Sequence, residues 1–202
     1  MLPDGAYKSL SDRDKLNTCW SMCNQFNKKF LDEASEWMTN EEHQNAPSHA
    51  EFMDKAIKKA IAGVLNNEGG PFGCVIIKEG KIIGSGNNRV TSTNDPTAHA
   101  EIIAIREACK NLNSFQLEDC ILYSSCEPCP MCLGAIYWAR PKKVYYACSK
   151  ADAAKIGFDD AFIYKELNLD NHKRSIPFEQ IDRKKALNAF KAWEDKEDKI
   201  EY

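Results

Sequence analysis

The sequence predicts an α/β protein in which helices cover both faces of a central mixed sheet. After Pro47, helical and strand-like segments alternate in the order α-β-β-α-β-α-β, which is typical of this layered arrangement. The first two strands are separated only by the turn at Glu79 and Gly80, so they are expected to pair antiparallel. Helical crossovers separate the later strands and favour parallel pairing.

Apolar periodicity and turn residues define the individual elements of this prediction. Gly69 and Gly70 follow the first helix of the domain and interrupt its pattern. The predicted elements are helix 51–65, strands 72–77 and 81–84, helix 98–112, strand 120–124, helix 128–139, strand 143–147 and a final helix 183–193.

Residues 1–46 are predicted to form a helical extension that precedes a second domain, 47–202. Ser11 and Asp14 resemble a capping signal at the start of a helix over 12–38. The apolar positions that recur at helical spacing are Leu16, Cys19, Trp20, Cys23, Phe26, Phe30, Ala34 and Trp37. This stripe is expected to pack on the rest of its own chain or on a partner subunit.

Composition and charge narrow the class of protein. The formal net charge is −3, and no run is strongly basic, which argues against a dedicated nucleic-acid binder. The first ten residues lack the apolar core of a signal peptide, and no apolar run is long enough to span a bilayer, so a cytoplasmic protein is expected. In that reducing compartment, the nine cysteines are expected to be metal ligands or core residues rather than disulfides.

Two short motifs carry the chemistry of this sequence. His99-Ala100-Glu101 and Pro128-Cys129-Pro130-Met131-Cys132 each fall at the start of a predicted helix. Cys129 and Cys132 are three residues apart, so both thiols lie on one side of a helical turn. One imidazole and two thiolates suit zinc, and three protein ligands leave the fourth position open for water, as in catalytic sites. We therefore expect one zinc ion held by His99, Cys129 and Cys132.

Glu101 is predicted to be the catalytic acid and base. Zinc brings the pKa of bound water towards neutrality, and a carboxylate beside that water can move its proton to a departing amine. The combination of H-x-E with P-C-x-x-C is the signature of zinc-dependent nucleobase deaminases. Two alternatives remain open because Cys126 adds a third thiol: a closed structural zinc site, or part of an iron–sulfur run.

From these residues, the sequence resembles the cytidine-deaminase-like superfamily and, within it, the bacterial-type guanine deaminases. The resemblance runs from about residue 48 to 202 and is densest in 69–73, 94–101, 126–141 and 157–165. The Tyr137-Trp138 and Phe158-Asp159-Asp160 blocks are the ones that favour guanine deaminase. The resemblance implies a three-layer α/β/α sandwich. It also implies a homodimer in which the C-terminal tail of each subunit closes the site of the other.

The resemblance also implies a role for several further residues. Asn88 would hydrogen-bond the purine, the Ala100 backbone would meet its edge, and Phe72 and Trp138 would flank its ring. Asp160 would assist Glu101, and Tyr202 would contact the ligand from the partner subunit. Alternatives remain: Phe72 and Trp138 as core residues, Asn88 as a turn residue, Asp160 as a helix cap or surface acid. Residues 1–46 have no counterpart in the short bacterial form.

The expected reaction is the hydrolytic deamination of guanine to xanthine and ammonia. A tRNA adenosine deaminase shares both motifs but should carry a basic face for its polyanionic substrate. A deaminase of cytosine, guanosine or another nucleoside is a second alternative, although a tail that closes the pocket leaves little room for a ribose. A zinc-stabilised interaction module that presents the N-terminal helix is the non-enzymatic alternative.

Overall fold

The structure is a computed structural model that describes residues 48–201 together with Lys28. The described residues from Ser48 onwards belong to a compact unit of their own. The predicted helix over 12–38, the domain boundary at residue 46 and the terminal Tyr202 lie outside the described residues, so those three expectations stay predictions.

The described elements follow the predicted order, with additional short helices. We number them α1 (His49–Leu65), β1 (Gly73–Lys78), β2 (Lys81–Asn87), α2 (Val90–Thr93), α3 (Ala100–Leu112), β3 (Ile121–Cys126), α4 (Pro130–Ala139), β4 (Lys143–Cys148), α5 (Lys150–Lys155), α6 (Ala161–Leu167), a 3-10 turn (Asn171–Lys173) and α7 (Arg183–Glu194).

The sheet is mixed, as predicted, with the strand order β2-β1-β3-β4. Strand β1 lies between β2 and β3 and is antiparallel to both, whereas β3 and β4 are parallel. Strands β2 and β3, which the crossover through α3 connects, therefore run in the same direction, but they are not neighbours because β1 lies between them. The crossover through α4 joins adjacent parallel strands, which brings the carboxyl ends of β3 and β4 together at one edge.

Helices cover both faces of the sheet. Alternate residues of β1 point to opposite faces: Cys74 and Ile76 belong to a core cluster with Ala100 and Ala104 of α3. Val75 and Ile77 pack instead with residues of α1 and β3, namely Phe52, Ala56 and Tyr123. This confirms the predicted α/β class and its arrangement of layers.

The start of α3 is placed by a close approach of helix to sheet. A Cβ on Gly86 would lie 2.4 Å from the carbonyl oxygen of Ala100, and one on Gly84 would lie 2.4 Å from that of Ala104. Only glycine allows β2 and α3 to come this close. The two glycines thus set the position of the helix that carries the H-x-E motif.

Helix boundaries differ from prediction where the functional residues begin. Helix α3 starts at Ala100 and α4 at Pro130, each two residues later than expected, because His99 and Cys129 occupy the N-cap positions with extended backbone. Helix α1 starts earlier, at His49, because Ser48 and Glu51 form a reciprocal capping box. Among residues 48–201, no helix combines the length and apolarity that a membrane span needs.

Candidate metal centre and active site

Two helix N-termini meet at the centre of the site. His99 is the N-cap of α3, Cys129 is the N-cap of α4, and Cys132 lies in the first turn of α4. None of the cap side chains bonds to its own helix backbone, so the imidazole and the thiol remain directed to other partners. The positive end of each helix dipole favours thiolate over thiol at this position.

The three predicted ligands come together in the structure. Nδ1 of His99 lies 3.5 Å from Sγ of Cys129 and 3.5 Å from Sγ of Cys132. The three donor atoms all lie within 4.8 Å of one another. Ligands at ordinary Zn–N and Zn–S distances in a tetrahedron are separated by about 3.5 Å. The spacing and the chemistry of the donors therefore fit zinc.

The electrostatics of the group also suit a metal ion. A hydrogen bond from Cys132, helped by His99, lowers the pKa of the Cys129 thiol to about 4. The pKa of Cys132 is raised well above its usual value, because it is the donor in that bond and is buried. Hydrogen bonding to Cys129 raises the pKa of His99. The site thus already stabilises one negative sulfur, the form in which cysteine binds metal.

Cys126 does not belong to this group. Its Sγ donates to the carbonyl oxygen of Ser149 at 3.6 Å. Burial raises the pKa of this thiol to about 11, with a smaller contribution from Cys148. Within the described part of the chain, the metal-binding group contains His99, Cys129 and Cys132 without a third thiol. A three-ligand site with an open position is therefore favoured over the closed and cluster alternatives.

Glu101 lies beside the ligands and is buried, with 6% of its surface exposed. Ser124 Oγ donates to its Oε1 at 3.0 Å, and Cys132 Sγ lies 3.4 Å from its Oε2. Burial raises the pKa of the carboxyl, against the lowering effect of these hydrogen bonds. A carboxyl with a raised pKa, beside three side chains that can bind a metal ion, is suited to accept and then release a proton.

Asn88 and Phe72 form part of one hydrogen-bonded loop. Asn88 is buried, and its Oδ1 accepts from the backbone N–H of Gly70 and of Val90, each at 3.2 Å. The N–H of Asn88 donates to the carbonyl oxygen of Phe72 at 3.0 Å. Asn88 is therefore a turn residue, as one alternative proposed, but it also ties its own amide to the Phe72 backbone.

The two predicted ring-flanking residues differ in environment. Phe72 is half-buried and packs against the α3 side of the core, so its ring has a partly structural role. Trp138, at the end of α4, is 63% exposed, so it is not a core residue of this chain. Ala100 is fully buried at the start of α3. Phe72 and Asn88 thus lie together, and the described ring contact of Phe72 is with Phe158.

Asp160 lies within electrostatic range of the metal ligands. Burial raises its pKa first, and negative charge on Cys129 raises it further, while Lys150 lowers it. It occupies the N-cap position of α6, yet its side chain makes no capping hydrogen bond. The neighbouring Asp159 accepts from the N–H of Ala161 at 2.9 Å instead. The capping alternative therefore applies to Asp159 rather than to Asp160.

Two residues of this site, Ser124 and Phe158, are not among those predicted from the sequence. Ser124, on β3, bonds Glu101 across the sheet–helix interface, and nothing in the sequence around a buried serine signals such a contact. Phe158 packs its ring edge-to-face with Phe72, with centroids 4.9 Å apart. Phe158 belongs to one of the blocks that carry the family resemblance, but nothing in the sequence indicates its contact with Phe72.

Comparisons with known proteins agree with this geometry. Residues 46–148 match the family described as the cytidine and deoxycytidylate deaminase zinc-binding region. The guanine deaminase of Bacillus subtilis is 57% identical over 155 residues, which cover 77% of this chain and 99% of that protein. Its X-ray structure superposes with a TM-score of 0.76, at 56% identity over the same shares of the two chains.

More distant relatives share part of the domain. The structure of the guanine deaminase from Nitrosomonas europaea is 31% identical, with a TM-score of 0.54 over 56% of this chain and 65% of that one. The tRNA-specific adenosine deaminase of Buchnera aphidicola is 40% identical over 62% of this chain and 80% of its own. The chain thus belongs to the zinc-binding cytidine and deoxycytidylate deaminase family.

Proposed function

We propose that this protein is a zinc-dependent guanine deaminase that hydrolyses guanine to xanthine and ammonia. The observation that carries the proposal is the buried Glu101 carboxylate beside the His99, Cys129 and Cys132 donors. The guanine deaminase of Bacillus subtilis matches this chain over 99% of its own length, which supports guanine as the substrate. The matching tRNA-specific deaminase covers a smaller share of this chain, at lower identity.

His99, Cys129 and Cys132 hold the zinc ion in this proposal, one ion per subunit. Zinc in a three-ligand site supplies Lewis acidity that makes water nucleophilic near neutral pH. The inner side of the group is shielded from water, since Cys132 is fully buried and Glu101 nearly so, while His99 and Cys129 are half-buried. A shielded site strengthens every charge interaction within it.

Glu101 moves the protons of the reaction. One of its oxygens is anchored by Ser124, so the carboxylate is held in a fixed orientation while the other oxygen lies on the ligand side. It accepts a proton from the attacking water and gives it to the leaving amine, so that a C–O bond forms, the C–N bond breaks and ammonia departs. Asp160, whose pKa is raised in part by the negative charge on Cys129, assists the proton transfer to the amine.

The purine is held by polar groups at its edges and by aromatic rings at its faces. Asn88 donates from its amide Nδ2, because its Oδ1 is already used by Gly70 and Val90. The backbone of Ala100 meets another edge of the base. Phe72 and Trp138 flank the ring, a role suited to flat aromatic side chains.

The protein is proposed to act as a homodimer with exchanged C-terminal tails, so that Tyr202 completes the partner's site. The proposal is supported by the C-terminal region 176–200, where many apolar side chains stay exposed and are not buried by other described residues. Its most exposed members are Ile176, Phe178, Ile181, Phe190 and Ile200, all above half exposure. Apolar exposure on this scale marks an association surface.

We propose a cytoplasmic location, where zinc-binding thiols stay reduced. The seven cysteines in the described part of the chain are free thiols. Cysteines without disulfide partners are typical of proteins in a reducing compartment.

The direct test is ammonia release from guanine, guanosine, cytosine, adenine and a tRNA substrate. We expect turnover of guanine with zinc bound at one ion per subunit. Glu101→Ala should abolish turnover and retain both zinc and fold, because Glu101 is not a ligand. Glu107→Gln is the matched control on the same helix, where Glu107 is exposed and bonds Ser85. A zinc-loaded protein that prefers any other substrate would refute the assignment.

A further inference from the structure

We infer that Phe158 is a positioning residue for guanine binding, which fixes the ring of Phe72 against which the base stacks. The inference rests on the proposed function and extends it to a residue outside the predicted site. The ring of Phe158 meets that of Phe72 edge-to-face, at 4.9 Å between centroids and 89° between planes. This arrangement is the favoured one for an aromatic pair, in which the edge of one ring meets the face of the other.

The contact joins two segments that carry different parts of the site. Phe72 is tied through its backbone to Asn88, since the N–H of Asn88 donates to the Phe72 carbonyl oxygen at 3.0 Å. Phe158 lies two residues before Asp160 in the chain. The ring pair thus connects the loop of Phe72 and Asn88 to the segment of Asp160.

The backbone of each ring residue is held by its own hydrogen bond, so both ends of the ring contact are anchored. The N–H of Phe158 donates to the carbonyl oxygen of Ala153 at 3.0 Å, and Gly157 makes the turn out of α5 with φ +92°. The N–H of Phe72 donates to the carbonyl oxygen of Gly70 at 2.8 Å. Phe158 can therefore limit rotation of the Phe72 ring, a torsion that is otherwise broad.

Gly70 lies against both rings. A Cβ there would lie 3.0 Å from Cζ of Phe158 and 3.2 Å from Cδ2 of Phe72. The loop passes so close to the ring pair that a side chain at Gly70 fits only if a ring moves. Added bulk at Gly70 would displace at least one of the rings by a few tenths of an ångström.

The exposure of Phe158 argues against a purely structural role. Phe158 is 46% exposed, so it contributes little to the hydrophobic core. Phe72, in contrast, is half-buried and packs on the core cluster, and its ring meets that of Phe158 edge-to-face. The ring of Phe158 is placed where it orients Phe72 rather than where it stabilises the fold.

The test is steady-state kinetics on the zinc-loaded full chain, with Phe158→Ala compared with wild type. We expect the KM for guanine to rise about 3- to 10-fold, which matches the strength of an aromatic pair, while kcat stays within about twofold. The split is expected because the segment of Asp160 keeps its backbone bond at Phe158 and the cap at Asp159. Phe158→Tyr retains the ring and should keep the wild-type KM.

Two further variants make the result specific. Phe162→Ala removes an exposed phenylalanine of the same region and should leave KM unchanged. Gly70→Ala keeps both rings but should raise the KM for guanine, because its Cβ crowds them. In the double variant with Phe158→Ala, the rise in KM should be smaller than the product of the two single-variant rises, since one of the crowded rings is gone.

The outcomes separate this inference from the proposed function. Wild-type protein without guanine turnover would overturn both. An active wild type with a Phe158→Ala KM equal to its own would overturn the positioning role alone. So would a fall in kcat with unchanged KM, because that pattern indicates damage to the catalytic groups. If Phe158→Ala does not fold, Gly70→Ala with normal KM overturns the role.

Discussion

Ser124 and Glu101 are joined by a 3.0 Å hydrogen bond that crosses from β3 to the first turn of α3. Both residues are buried, with Ser124 1% exposed, so water does not replace this bond. The serine hydroxyl holds one carboxylate oxygen, and the other oxygen is left on the side of Cys132. A residue of the sheet thus orients the proton carrier of the proposed reaction.

Ser124→Ala should lower kcat for guanine about 10- to 100-fold, because a hydrogen bond to a charged group contributes about 1.5–3 kcal/mol. The KM should stay near its wild-type value, since Ser124 does not contact the base in this proposal. Steady-state kinetics with a zinc measurement test the prediction. Ser125→Ala is the control: Ser125 Oγ accepts from the N–H of Gly73, so its loss should affect stability rather than kcat. Equal kcat losses in both variants would contradict the orienting role.

Cys126→Ala should keep one zinc ion per subunit and most of the activity. The Cys126 thiol bonds the Ser149 carbonyl oxygen and is separate from the metal group. Cys129→Ala, in contrast, should lose zinc, because it removes one of three ligands. Metal content by atomic spectroscopy, with ammonia release from guanine, distinguishes them. Loss of zinc from Cys126→Ala would indicate a fourth ligand and a closed site.

The metal site could be predicted from the sequence because its chemistry is local. Cys129 and Cys132 are three residues apart, and a helix start brings them together whatever the rest of the fold does. His99 joins the two cysteines because the N-terminus of α3, which it caps, lies next to the N-terminus of α4. The order of the main elements was equally accessible, since long amphipathic segments such as α1 and α3 have clear periodicity.

Contacts between distant segments could not be predicted in the same way. The Ser124–Glu101 bond depends on which β3 residue faces α3, and the Phe72–Phe158 pair depends on the path of the chain after α5. The short helices α5 and α6 contain too few residues for a periodic signal. Tertiary packing, rather than local pattern, determines the two side-chain contacts, whereas α5 starts at a local capping box formed by Ser149 and Asp152.

Asp160→Asn should lower kcat about 10-fold and leave zinc in place, since a neutral side chain cannot assist proton transfer. Asp159→Asn provides a matched control, one residue away. Its carbonyl oxygen can still accept from the N–H of Ala161, so the helix cap should persist and kcat should change less than twofold. Single-turnover ammonia release separates the chemical step from product release. If the two variants have the same kcat, Asp160 has no part in proton transfer.

The exchange of C-terminal tails can be tested by mixing two inactive variants. Glu101→Ala lacks the proton carrier, and Tyr202→Ala lacks the terminal side chain that is proposed to reach the partner's site. In a mixed dimer with exchanged tails, one site combines the intact Glu101 of one chain with the intact Tyr202 of the other. Co-expression should therefore restore up to about half of the wild-type activity per mixed dimer, as one of its two sites is complete. Dimers in which each tail closes its own site would show no gain, because every site would keep one defect.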